Sequence, residues 1–78
     1  MILYNEKHDL GNNRFVIPFI CTDAKDIRTE LSPRDRSESE NRLLGIIHDR
    51  ITLALLNKGF DIERISFYNM AITVRRIK

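Results

Sequence analysis

The sequence is poor in the residues that staple small proteins together. Cys21 is its one cysteine, so no intrachain disulfide can form, and with His8 and His48 it falls short of the four-ligand set of a structural zinc site. The three glycines, Gly11, Gly45 and Gly59, lie far apart and none opens a helix after a strand, which gives nucleotide binding through a Gly-rich phosphate loop no support. Long apolar runs are also missing. Residues 1–4 are too few for a signal peptide, and residues 15–21 are interrupted by Pro18 and far below membrane-spanning length. These absences predict a reduced, cytoplasmic setting, no membrane partner, no metal and no cofactor.

What remains is a chain of 78 residues, too short to divide into two parts that each exclude water from their own core, so a single domain over 1–78 is expected. A core of this size supplies about 3–5 kcal/mol net of chain entropy. With no staple available, a partner chain is the remaining source of support. The hydrophobic fraction of 42% is near the globular average, and the charged 31% mixes both signs, unlike a disordered tail. The net charge of +2 divides unevenly: residues 1–40 carry six basic and eight acidic groups, residues 41–78 seven basic and three acidic. The basic carboxy-terminal half permits contact with an anionic partner, although an ordinary solvated surface carries as much.

Residues 1–4 and 14–21 are rich in Ile, Leu, Val, Phe and Tyr, and between them stand the turn-tolerant Asp9, Gly11, Asn12 and Asn13. They predict a hairpin over 1–21. Pro18 lacks the N–H that a ladder needs, so its strand is expected at a sheet edge or with a bulge. Residues 22–36 are crowded with cap and turn formers and read as a connecting loop. Asp23 and Asp26 could open a short helical turn there that buries Ile27 and Leu31.

Ser37-Glu38-Ser39-Glu40 has the capping-box form, which starts a helix over 37–58. Lys58-Gly59 supplies a basic last turn and a left-handed stop. At about 1.5 Å per residue the rod is roughly 30 Å long. Residues 62–77 form the terminal strand or hairpin. Ile65 and Phe67 alternate in one phase and Tyr68, Met70, Ile72 and Val74 in the other, and this slip favours one long bent strand, because a two-residue loop at Tyr68-Asn69 requires positive φ at a tyrosine. The expected fold is α+β, a small antiparallel sheet in β-β-α-β order packed on one long helix. A hairpin, a capped helix and a Gly-Phe turn into a final strand are similar, in arrangement alone, to small phage-encoded and mobile-element regulators.

No motif commits the chain to catalysis. Glu6, His8 and Asp9 gather titratable groups near the first turn, where water reaches them anyway. His48-Asp49 resembles a dyad, but neighbours on a helix point about 100° apart, and His48 reads as a boundary residue. Cys21 ends an apolar strand and reads as a small buried side chain. Arg28, Arg34 and Arg36 alternate with Glu30, Asp35 and Glu38, so their field is largely cancelled locally. Arg64, Arg75, Arg76 and Lys78 make a basic cluster near Phe67 and Tyr68, with Arg75 and Arg76 on opposite faces of a strand.

The helix carries the sharper signal. Leu43, Leu44, Ile47, Ile51, Ala54 and Leu55 share one arc of about 120°, wide enough to pack on a sheet. Ile46 and Leu53 lie together on the other side, with Leu56 farther around beyond Asp49. Ile46, Leu53 and Leu56 as anchors, rimmed by Arg42, Asp49 and Arg50, describe a surface for another protein or a second copy of the chain. The expected function is that of a small non-enzymatic interaction domain, a regulator, inhibitor or adaptor. A weakly basic nucleic-acid-binding module using Arg64, Tyr68, Arg75, Arg76 and Lys78 is the alternative. A small RNA-cleaving toxin-like enzyme, which would have to bring Tyr68, arginines and His8 into one groove, comes third.

Overall fold

The computed structural model describes residues 1–25, 27–29 and 31–77. In chain order β1 (Ile2–Tyr4), β2 (His8–Gly11) and β3 (Arg14–Cys21) precede α1 (Glu38–Leu56), and β4 (Phe60–Ser66) and β5 (Ala71–Arg76) follow it. The strands form one antiparallel sheet in the order β1-β3-β5-β4, with β2 also paired to β3. The fold is α+β, one long helix packed on that sheet.

The arms expected to make the first hairpin do pair, Ile2 with Cys21 and Tyr4 with Phe19. Between them the chain also makes β2, which the sequence reading left inside a turn. Asn12 and Asn13 both take positive φ, 54° and 62°, in the two-residue loop that joins Gly11 to Arg14. Such loops match the twist of antiparallel strands and favour asparagine.

Pro18 does not lie on an edge strand. β3 is internal, with β5 on one side and β1 and β2 on the other. Proline is tolerated because its two neighbours on that other side are separate strands. The Pro18 carbonyl accepts from the Asn5 N–H at 2.8 Å, whereas the Phe19 N–H donates to the Met70 carbonyl at 3.0 Å on the β5 side. Backbone polar groups of one strand residue point to the same side. The missing donor therefore faces the gap between β1 and β2, and the ladder to β5 loses nothing.

In the connecting segment a short 3₁₀ turn forms at Thr22–Ala24 and another at Pro33–Asp35. Ala24 is buried and Ile27 packs on the core, but Leu31 is half-buried and outside it. Asp26, expected to open a helical turn, lies outside the described residues, as does Glu30. Arg36 holds the segment together by donating to the carbonyls of Arg28 and Thr29 at 3.3 and 3.0 Å.

The capping box at the start of α1 is complete. The Glu40 N–H donates to the Ser37 hydroxyl at 3.2 Å, and the Ser37 N–H donates to the Glu40 carboxylate at 2.9 Å. Asn41 adds a bond to the Pro33 carbonyl at 2.7 Å. At the other end Gly59 takes φ +87°, the left-handed conformation that ends the helix.

The last segment is a hairpin rather than one bent strand. β4 begins at Phe60, and residues 67–70 form a four-residue loop closed by the pair Ser66 and Ala71. Positive φ falls on Met70, at 51°, not on Tyr68. The strain is held in place because Met70 packs on the core and its carbonyl accepts from Phe19. Tyr68 stands 69% exposed at the loop, off the face on which the bent strand would have placed it. A bulge does occur, but within β4: the pairing shifts between Ile62 and Arg64, so Ile62 and Ile65 meet Val74 and Ile72 on the same face.

The core lies between that face and the helix. Phe15, Ile17, Phe19 and Cys21 of β3 and Ile72 and Val74 of β5 meet Leu44, Ile47, Ile51 and Leu55 of α1. Ile51, Ile72 and Val74 are completely buried, each stabilising the fold by about 1.5–3 kcal/mol through removal of its side chain from water. Leu43 packs at the margin of this cluster.

Candidate functional site

Helical geometry puts Arg42, Ile46, Asp49, Leu53 and Leu56, at alternating steps of four and three, in one stripe opposite the core. Each of its apolar members is open: Ile46 is 46% exposed, Leu53 63% and Leu56 48%. The described residues of the segment joining β3 to α1 leave them uncovered. Arg42 reaches back to Glu38 at 3.3 Å, and Asp49 has the His48 ring at 3.8 Å. Arg50 flanks the stripe on its other side. Asp23 is held below the ordinary carboxylate range first by the Met1 amine, with Arg50 a weaker contributor. At the carboxy-terminal end of the stripe, Leu56, Asn57, Lys58, Gly59 and Ile77 border a shallow recess of about 430 Å³. Ile77 is itself 55% exposed.

The basic cluster of the carboxy-terminal half divides. Arg64 pairs across from Thr73, so it shares the open face of the sheet with Arg75 and with Arg14, Arg75's partner on β3. Their charge is offset by Glu63, which accepts from Arg14 at 2.8 Å and lies 4.0 Å from Arg75. The hydrogen bond from Arg14 is the main reason its carboxyl titrates below the ordinary glutamate range. Arg76 lies on the opposite face, its guanidinium 5.0 Å from the centre of the Phe15 ring and 5.8 Å from that of Phe60. Tyr68 is at the far end of β5, about 17 Å from Arg76 at about 3.3 Å per strand residue. Lys78 lies outside the described residues.

The titratable candidates do not converge. His8 and Asp9 lie exposed in β2, where the Asp9 carboxylate caps its own turn by accepting from the Gly11 N–H at 2.7 Å. His8 shares the open sheet face with Arg64, but β3 and β5 lie between them, about 14 Å at about 4.8 Å per strand spacing. Glu6 is exposed in the segment between β1 and β2. His48, expected at a boundary, is exposed. Cys21 is buried and unpaired. Among the described residues no three His, Cys, Asp or Glu side chains stand close enough to hold a metal ion.

A feature missed in the sequence is a shallow pocket of about 210 Å³ beside the end of α1, lined by Tyr4, Asn5, Lys7, Ile17, Leu55, Lys58 and Phe60. Lys58 lies 5.8 Å from the Tyr4 ring centre and Lys7 5.8 Å from that of Phe15. Partial burial, with Cys21 as a smaller cause, raises the Tyr4 hydroxyl above its ordinary value. No local motif announces this pocket, because its lining comes from both ends of the chain. Both lysines and Asn5 are exposed and Tyr4 is half-buried, so none of the polar side chains lining it is fully buried.

Compared with known proteins, the chain matches no protein-family model, no curated protein and no solved structure. Among the described residues no helix is long and apolar enough to cross a membrane.

Proposed function

We propose that this protein is a small non-enzymatic interaction domain, a regulator, inhibitor or adaptor, whose contact surface is the outer face of α1. The observation that carries the reading is the openness of Ile46, Leu53 and Leu56 on a helix whose inner face is sealed. Apolar residues aligned over several turns and rimmed by charge have the composition of an interface centre and its rim. Nucleic-acid binding is the lesser reading, because Glu63 and Asp61 offset Arg14, Arg64 and Arg75 on the open sheet face, and Arg76 is engaged with two aromatic rings.

The test is site-specific photo-crosslinking in cells. A crosslinker at position 53 should give discrete protein adducts, and one at position 20 on the open sheet face should give none. Equal labelling from both positions would remove the special status of the helix face. So would unfolding of an Ile46→Gln, Leu53→Gln double variant, because those side chains would then belong to the core.

A further inference from the structure

We infer that β4 is a pairing edge: two copies of this chain join β4 to β4 antiparallel, about a two-fold axis that is normal to the sheet and passes between Glu63 and Arg64. This edge is separate from the outer face of α1 and does not depend on what occupies that face.

β4 ends the sheet, and at seven residues it is the long margin, whereas β1 and β2 on the other side have three and four. Backbone bonding shows which of its groups point outward. The Arg76 N–H donates to the Asn13 carbonyl and the Ile77 N–H to that of Gly59, so even-numbered residues of β5 turn toward β3 and odd-numbered ones toward β4. Asp61, Arg64 and Ser66, opposite Arg75, Thr73 and Ala71, therefore turn toward β5. Ile62 and Ile65, opposite Val74 and Ile72, present their N–H and carbonyl groups at the edge. The core is open there as well. Ile62 and Ile65 are half-buried on the face where Ile72 and Val74 are 0% exposed.

A two-fold axis normal to the sheet keeps each face on its own side, so every residue must oppose one from the same face. In a regular strand, alternation forbids an axis between adjacent residues. The β4 bulge lifts that restriction. It puts Ile62 and Ile65 on the core face and leaves Glu63 and Arg64 together on the open face, where Glu63 meets Arg14 and Arg75 and Arg64 lies opposite Thr73. In this register Ile62 exchanges both backbone bonds with the partner's Ile65, and Ile65 with the partner's Ile62. On the open face Glu63 lies across from the partner's Arg64, and Arg64 from the partner's Glu63. Arg64 makes no ion pair with the described residues of its own chain, so its charge is available to a second copy. A slip of one residue in either direction sets Glu63 against Glu63 or Arg64 against Arg64, and it takes the outward backbone groups out of register. A bulge ordinarily guards an edge against pairing, but here the two bulges coincide at the axis and match one another. The contact closes after two copies.

Sedimentation equilibrium and amide hydrogen exchange on the full chain test the pairing. The wild type should dimerise, and the Ile62 and Ile65 amides should exchange about tenfold or more slowly once dimer predominates than in dilute monomer. Ile65→Pro removes an N–H that the ladder to β5 does not use, so circular dichroism should show the fold kept while the dimer dissociation constant rises about tenfold or more. Arg64→Glu should weaken the dimer by a similar factor, and the Glu63→Arg, Arg64→Glu exchange should recover it. Should a variant unfold, the two wild-type amides decide the question by themselves. A wild type that stays monomeric at its highest soluble concentration would overturn the proposal. So would a dimer whose Ile62 and Ile65 amides exchange as fast as in the monomer, or one that a folded Ile65→Pro variant forms equally well.

Discussion

The two sides of α1 are built from the same kinds of side chain and meet different surroundings. On the inner side Leu44, Ile47, Ile51 and Leu55 are 5%, 1%, 0% and 3% exposed; on the outer side Ile46, Leu53 and Leu56 are close to half exposed or more. Residue type therefore does not distinguish them, and position around the helix does. The sheet covers one arc and stops. An apolar side chain left in water weakens nothing within the folded domain, whereas one removed from the sealed arc leaves a cavity that close-packed neighbours fill only in part.

Substitutions can break this contrast at several strengths. Ile51→Ala should have the largest effect, a loss of about 2–5 kcal/mol in urea unfolding, enough to leave much of a domain this small unfolded. Next comes Ser37→Ala, which removes one half of the capping box and should cost about 1 kcal/mol, read as a fall in the urea midpoint. The same motif gives an acid response. Bonds from the Ser37 backbone and hydroxyl hold the folded Glu40 carboxyl below its ordinary value of 4.5, so its contribution to stability is present above that pH and disappears as pH falls through the lowered folded value. A Glu40→Gln variant should show a flatter loss of stability over that acid range.

Gly45 lies on the exposed side of the helix, and a methyl group added to it would meet nothing within 4 Å. Gly45→Ala should raise stability by about 0.5–1 kcal/mol through helix propensity alone. The smallest change is expected for Leu53→Ala, within about 0.5 kcal/mol when measured on dilute monomer. A Leu53→Ala loss as large as that of Ile51→Ala would erase the distinction between the two sides.

Elements specified by local chemistry were legible in the sequence. Ser37 and Glu40 announce the helix start, Gly59 its stop, and the spacing of Leu44, Ile47, Ile51 and Leu55 the buried arc. The outer stripe followed from the same periodicity. Features decided by distant partners were not legible. Pro18 looks unfit for an internal strand until β1 and β2 are seen as separate neighbours, and the strained Met70 is tolerated through its contact with Phe19. The last hairpin was hidden for a further reason: the four-residue loop, ending on a left-handed residue, moves the backbone strain away from Tyr68. Ile62 and Ile65, three apart yet both inward, were the available sign of the β4 bulge. The basic residues near the carboxy terminus are neighbours in sequence, but alternation across the sheet and the length of β5 separate them in space.

The place of α1 between β3 and β4 also governs the time course of folding. β2 with β3, and β4 with β5, close over loops of two and four residues, and α1 nucleates at its own cap. The ladder between β3 and β5 instead joins Pro18 to Ala71 and Arg14 to Arg75, positions more than fifty apart in the chain. Closing so long a loop must precede the contacts that reward it, and rates fall as such separations grow. The two hairpins and the helix are thus the early, local structures, and the joining of β3 to β5 is the slow event that makes them one sheet. Shortening the segment between Cys21 and Ser37 would speed that event, whereas strengthening either hairpin turn would mainly preorganise the pieces before they meet.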